Sequence, residues 1–488
     1  SKLMFNNTIA HPDRTLPFHD LVYVVSGGFN VIVENELIES REGDIMFLPT
    51  TMDEVKKLGW KQLDIILVSG DTYIDTSYNG TAIVGKWLYK HGFKVGIIAQ
   101  PNIDDDSDIT RLGEPKLYWG ISGGCVDSMV ANYTATKKKR RTDDFTPGGE
   151  NNKRPDRAVI VYTNLIRRFF KNSPIPIVIS GIESSLRRIT HYDYWSNSLR
   201  RPIVFDAKAD IISYGMGEKS MLQLANALKN NTPWEDIRGL CYISKEEKNG
   251  YLKLPSFEEC KNDKYKFIEA FNTFYQNCDP ITAKGLYQQC GDRYLIQNPP
   301  CENYTSEELD EIYSMDFERG VHPYYKKMGN VRALDTIRNS VTTHRGCYGE
   351  CNFCAIAIHQ GRTVISRTED SIIKEVETLA SAPKFKGYIA DVGGPTANMY
   401  QIECAKKLKL GACRDRRCLY PEKCPALKIN HTKQIDLLNK LKKIKNIKKI
   451  FIASGIRYDM ILDDSKCGQL YFCLLYTSPS PRDPKTSR

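Results

Sequence analysis

The chain has no long apolar run. No stretch reaches the roughly 18 uncharged apolar residues that a membrane helix needs, and its start shows no secretory pattern. No membrane partner and a cytoplasmic location are the resulting expectations. Acidic residues are not in excess: 69 Lys and Arg against 59 Asp and Glu leave a net charge of +10, which admits an anionic partner without requiring one. Apolar residues are not scarce either. With 41% of them apolar and 26% charged, the 488 residues are not disordered throughout and have room for two to four domains. Nor is there a disulfide framework: 15 cysteines in so long a chain, densest in glycine-rich or basic loops, read as metal ligands in a reducing compartment.

The densest chemistry lies in Cys347-Tyr-Gly-Glu-Cys351-Asn-Phe-Cys354. Three thiolates this close can ligate three irons of a [4Fe-4S] cube and leave the fourth iron open to a substrate or cofactor. The same spacing marks one face of a helix, where the cysteines would be small core residues. Gly346 and Gly349 favour a loop wrapped round a group, because glycine is costly inside a helix. A second group, Cys404, Cys413, Cys418 and Cys424, with His431 beyond, matches no common zinc spacing. An accessory metal site, zinc or a second iron–sulfur cluster, and reduced structural thiols are both open there. The lysines and arginines around this group make RNA a candidate substrate.

With Phe353 before the last cysteine, the pattern CxxxCxxC resembles the signature of radical S-adenosylmethionine (radical SAM) enzymes. The flanking words His344-Arg-Gly-Cys-Tyr-Gly-Glu-Cys and Ala355-Ile-Ala-Ile-His359-Gln-Gly-Arg362 narrow the resemblance to the YgiQ-like radical SAM proteins, over residues 48–467. That resemblance implies a cube on Cys347, Cys351 and Cys354, with S-adenosylmethionine chelated at the open iron. It implies a 5′-deoxyadenosyl radical acting on an unknown substrate, and a reductant such as a flavodoxin or ferredoxin. A glycine pair after the second barrel strand, in that family exposed to the cofactor's amino group, falls here on Gly393 and Gly394. The usual acidic residue after the pair is Pro395, so Asp391 is expected to assume part of its role. Phe353 in the loop, and Ser454 and Gly455 at the end of the third strand, are further candidate cofactor contacts. Arg457 is a partner for the cofactor carboxylate, for substrate, or for the neighbourhood of Asp459.

The fold expectation is α/β: a Rossmann-like domain plus a truncated radical SAM partial (β/α) barrel, preceded by a short all-β fragment. Residues 1–49, with strands over 21–25, 29–33 and 44–48, resemble part of the cupin of AraC-type regulators, too few strands to enclose a ligand. His19 is there alone. Residues 50–235 read as the Rossmann-like domain, with strands over 63–68, 93–98, 116–121, 158–162, 175–179 and 210–214 and a helix over 81–91. Gly70-Asp71, Gly123-Gly124, Ser180-Gly181 and Gly215-Met-Gly-Glu218 fall at strand ends, where such sheets bind ligands. This half resembles cobalamin-binding radical SAM proteins, yet the turn from Asp71 to Gly80 lacks their histidine, so cobalamin is not expected. The basic run Lys137-Lys-Lys-Arg-Arg141 is a solvated loop or an RNA- or phosphate-contacting one.

Residues 236–330 read as a mainly helical connector, with a helix over 257–274 and another capped at Thr305. Residues 331–467 read as the N-terminal half of a radical SAM core, with strands over 337–341, 386–392 and 449–453 and helices over 371–380 and 434–444. Residues 468–488, with Pro479, Pro481 and Pro484, are expected to be a non-native tail without regular structure. Two rival functions stand beside the enzyme: a zinc-stapled basic RNA-binding protein without catalysis, and an inactive, truncated chimeric gene product.

Overall fold

The computed structural model describes residues 47–476 and the backbone of a hairpin, Phe29–Val33 against Glu36–Ser40. His19, the strand expected over 21–25 and the three prolines near the end lie outside the described residues. The centre of the molecule is a nine-stranded sheet. Five strands lie parallel in the order Val95–Ala99, Ile65–Ser69, Tyr118–Ser122, Ile177–Ser180 and Ile211–Ser213. Their sequences are near-continuous apolar runs, as strands covered on both faces require. Ile66, Val68 and Ile121 pack towards helix Ala158–Phe169, while Ile65, Leu67 and Val95 pack towards helices Gly80–Lys90 and Glu218–Asn230.

Four more strands extend this sheet: Leu240–Ser244, Arg293–Gln297 and Leu286–Cys290 in antiparallel succession, then Leu252–Leu254 parallel to its neighbour. The region expected to be a mainly helical connector is therefore part of the sheet, and a boundary at 235 cuts through it. Alternating burial along Leu286–Cys290 is the period-two pattern of a strand and explains the correction. The helix expected over 257–274 is two, Phe257–Asn262 and Lys264–Gln276, because Asp263 caps the second from its own side chain. Thr305 caps Ser306–Tyr313 in a reciprocal box with Glu308, as expected.

The β-branched run over 158–162 is helix, not strand. Ala158, Val159, Tyr162, Thr163, Leu165 and Ile166 are buried at helical spacing, a period visible only when the window is carried past the apolar run.

The second half is built on shorter strands. Ser340–Thr342 lies parallel to Asp391–Gly393, and Tyr388–Ile389 parallel to Lys449–Ile450. The first of these begins later than expected, since Ala333–Ile337 is a helical turn. Helices Glu369–Ser381 and Thr432–Leu441 cover them through Ile372, Val376, Leu437 and Leu441. Past the expected break, Gly468–Tyr476 is a helix whose Tyr471 ring lies 4.8 Å from the His431 ring. No helix among the described residues is long and apolar enough to cross a membrane.

Candidate functional site: a cysteine loop beside an interdomain cavity

The loop that carries the three cysteines is closed at its base by a two-residue ladder, His344 opposite Ser366 and Arg345 opposite Ile365. It enters through Gly346, whose φ is +83° and where a Cβ would meet the Thr363 carbonyl oxygen at 2.0 Å. Only glycine fits that approach. The cysteines are in irregular backbone rather than on a helix face. Cys347 is buried, while Cys351 and Cys354 are half-buried.

A Cβ built on Gly349 would stand 3.3 Å from Cys347 Sγ, 3.5 Å from Cys351 Sγ and 3.3 Å from Arg457 Nη1. Two thiols and a guanidinium thus converge on space that any side chain at 349 would fill. Cys347 Sγ accepts from the Gly349 amide at 3.3 Å and contacts Thr396 Oγ1 at 3.3 Å. Burial raises the Cys347 thiol above its ordinary value, opposed by those two hydrogen bonds. Arg457 Nη1 lies 3.6 Å from Cys351 Sγ, and its guanidinium pairs with Asp459, one of the partners expected for it. Phe353, expected beside the cofactor, is 92% exposed.

Among the described residues, no three His, Cys, Asp or Glu side chains are gathered round a point that would hold one metal ion. A cube needs no such gathering, since each thiolate takes a separate corner iron. Cys404 and Cys418 are buried with Cys347, Tyr348 and Leu427 in an apolar cluster beneath the loop. Cys413 and Cys424 are only half-buried and do not belong to it.

Gly393 and Gly394 end their strand against the loop. A Cβ on Gly394 would meet the His344 ring at 2.7 Å, and that ring is fixed by Thr343 Oγ1 at 2.8 Å and the Thr396 carbonyl at 3.0 Å. Burial lowers His344 to about 4. Asp391 is 8% exposed and accepts from the Ala453 amide at 2.8 Å, the Ser454 amide at 3.2 Å and the Ser454 hydroxyl. Asp391 therefore fastens the second strand's end to the third. Burial raises its carboxyl despite those bonds. At Gly455 the space for a Cβ is open, and its carbonyl accepts from Ala397.

A cavity of about 410 Å³ lies between the two halves. Gly394, Ser454, Thr342 and His344 wall one side. The other is formed by strand-end turns of the large sheet: Gly124, Ser180-Gly181 and Gly215 to Glu218. The Gly70-Asp71 turn is not part of the wall.

Sequence reasoning placed Glu218 at a ligand-binding strand end but missed Arg345 and His359 as wall residues. Arg345 Nη1 reaches Glu218 Oε1 at 2.7 Å across the seam, and Arg345 Nε donates to Tyr313 Oη at 3.0 Å. Burial opposes ionisation of Glu218, but the Arg345 charge prevails and its carboxyl stays below the ordinary value. His359 Nδ1 lies 3.0 Å from Ser185 Oγ, and burial, with Arg188 nearby, lowers it to about 4. The words His344-Arg345 and Gly217-Glu218 carried a signal: an opposite charge in each of two glycine-bearing motifs.

The chain is similar to several known proteins. Residues 47–340 match the family model described as Radical SAM N-terminal. The UPF0313 protein FN0734 of Fusobacterium nucleatum is 74% identical over 425 residues, 87% of this chain and 75% of that protein. The UPF0313 protein of Thermotoga petrophila is 49% identical over 420 residues, 86% of this chain and 74% of that protein. Among solved structures, the radical S-adenosylmethionine methyltransferase TsrM from Kitasatospora setae, with cobalamin and a [4Fe-4S] cluster bound, is 15% identical. That likeness covers 81% of this chain and 57% of TsrM at a TM-score of 0.42, and carries no argument for or against cobalamin here. The chain belongs to the Radical SAM N-terminal family, within the radical SAM superfamily, and is one of the UPF0313 proteins.

Proposed function

We propose that the chain is a radical SAM enzyme. In this reading Cys347, Cys351 and Cys354 hold a [4Fe-4S] cluster, while Gly393, Gly394, Ser454, Gly455 and Arg457 receive S-adenosylmethionine. The observation that carries it is the convergence of Cys347 Sγ, Cys351 Sγ and Arg457 on the space above Gly349. When bound, the cluster and S-adenosylmethionine supply the radical chemistry, which protein side chains do not. The chain's own residues position and shield. Asp391 holds Ser454 in place, and a neutral His344 presses against Gly394. Arg457 stands beside Cys351 with Asp459 limiting its reach.

The substrate occupies the cavity. Glu218 and Arg345 neutralise each other on its wall, and His344 and His359 are uncharged near neutrality. An uncharged part of the substrate suits such a wall, because an ion there would lose its hydration without gaining a partner. A one-electron donor such as a flavodoxin or ferredoxin would approach the loop where Phe353 is exposed, an observation that supports this reading.

Anaerobic reconstitution of the full chain with iron and sulfide tests this reading. The expected result is bound iron with the absorption and spin-resonance signals of a cube, lost in Cys351→Ala while far-ultraviolet dichroism is unchanged. A native chain that takes up no iron sinks it.

A further inference from the structure

In the sheet half, the basic run 137–141 meets a small aromatic hairpin. The hairpin pairs His191–Asp193 with Ser198–Arg200. Tyr192 and Tyr194 are 51% and 48% exposed, and Trp195 packs between Tyr194 and Tyr133 at ring distances of 5.4 and 5.3 Å. Tyr194 Oη donates to the Ala135 carbonyl at 2.7 Å, and Lys137 Nζ lies 4.7 Å from the Tyr194 ring centre. Loop and hairpin are one surface.

The basic loop is pinned rather than loose. Thr134 N donates to the Lys138 carbonyl at 2.8 Å, Arg140 N to Asn132 at 2.7 Å and Asn151 N to Arg141 at 3.1 Å. Arg140 spends its Nε on the Val130 and Tyr133 carbonyls. Lys138, Lys139 and Arg141 are exposed and form no ion pair among the described residues. A row of cations merely kept in water needs neither a fixed backbone nor exposed tyrosine faces beside it.

We propose that this surface binds single-stranded nucleic acid, with phosphates on Lys138, Lys139 and Arg141 and bases stacked on Tyr192 and Tyr194. The pairing of cations for the backbone with aromatic faces for the bases is what sequence-tolerant strand binding requires. An anionic membrane would use the cations and leave the rings without stacking partners. The inference is independent of the cluster, since every residue it uses lies outside the loop and the cavity.

The test uses the full chain without added iron and a labelled mixed-sequence RNA strand of about 12 nucleotides, within the span such surfaces cover. Anisotropy titrations are run at several salt concentrations. The expected result is binding at low salt that weakens with salt, with a log–log slope of about 0.7 for each phosphate contact. Lys138→Ala/Lys139→Ala/Arg141→Ala together lower that slope by about 2. Tyr194→Ala weakens binding by about tenfold, and Tyr194→Trp, which keeps a stacking face, restores it. No binding at low salt overturns the proposal. So does a triple variant that binds with the native slope, or phosphatidylserine vesicles bound by a chain that ignores the RNA. Because all these side chains are exposed, unchanged dichroism and melting in each variant keep a loss of binding from being a loss of fold.

Discussion

The two halves of the molecule hold their shape by different means. In the sheet half, strands such as Ile65–Ser69, Val95–Ala99 and Tyr118–Ser122 are five residues long, and apolar side chains cover both faces. In the cysteine-loop half, strands are two or three residues long, and side-chain polar ties fix the turns. Asp391 clasps Ser454, Arg367 pairs with Glu375, and His344 is held between Thr343 and Thr396. Apolar burial is non-directional and tolerates change of shape; a hydrogen bond serves one geometry. The sheet is thus a platform, and the second half is a set of turns whose positions depend on named partners. Polar ties also cross the seam between them, Arg345 with Glu218, Arg319 with Glu375 and Tyr275 with Glu350, beside apolar contacts such as those of Ile358 and Ile365.

The largest expected effect is at that seam. Arg345→Met leaves Glu218 buried without its cation and costs about 3–5 kcal/mol in urea unfolding, most of it recovered by adding Glu218→Gln. The pH dependence has a definite sign. Because the Glu218 carboxyl is lower in the folded chain than its ordinary 4.5, its contribution is present above that value and lost as pH falls through the folded one. Arg345→Met should abolish this loss. If the variant unfolds as the native chain does, the seam is not what joins the halves.

A second effect is on acid stability. His359 packs on Ser185 across the same seam, and burial depresses its imidazole from 6.5 to about 4. The unfolded chain therefore binds the proton more readily. The stability contributed by neutral His359 is present above pH 6.5 and lost as pH falls towards 4, on the order of 3 kcal/mol in all. His359→Gln should flatten the fall of the urea midpoint between those values. An unchanged slope would place the acid sensitivity elsewhere.

How far the sequence could be read differs between the halves in the same way. The parallel strands were legible because both of their faces are buried, which leaves unbroken apolar runs such as 65–68. The helix at 158–169 was not, since a β-branched run looks alike in either state until its period is followed further. The antiparallel extension was hidden because Gln288, fully buried, shares the inner face with Leu286 and Cys290 while Tyr287 and Gln289 lie on the outer one, so polarity along the strand does not follow burial. At the site, the cysteine loop was legible from spacing and glycine. The cavity was not, because its walls meet across the fold: Glu218 and Arg345 are 127 positions apart, and no local pattern pairs them. The cysteines at 404 and 418 show the converse, for residues 14 apart in the chain share one buried cluster with Cys347, which no local spacing announces.

The smallest effect separates the halves most directly. Ile121 in the sheet and Ile389 in the second half are both fully buried, so Ile121→Val and Ile389→Val remove the same methylene from the same degree of burial. Each costs about 1 kcal/mol on transfer grounds. Where the loss appears should differ. Ile121 stands in a five-residue strand hydrogen-bonded on both sides, which opens only when the whole sheet does. Its loss should lower global stability and speed amide exchange across all five parallel strands. Ile389 stands in a two-residue ladder against Lys449–Ile450, which opens locally at less cost than the whole. Its loss should speed exchange over 388–393 and 449–455 and leave the sheet's amides unmoved. Equal spread of the two effects over the whole chain would mean that a single cooperative core, rather than a platform with tied turns, carries the site.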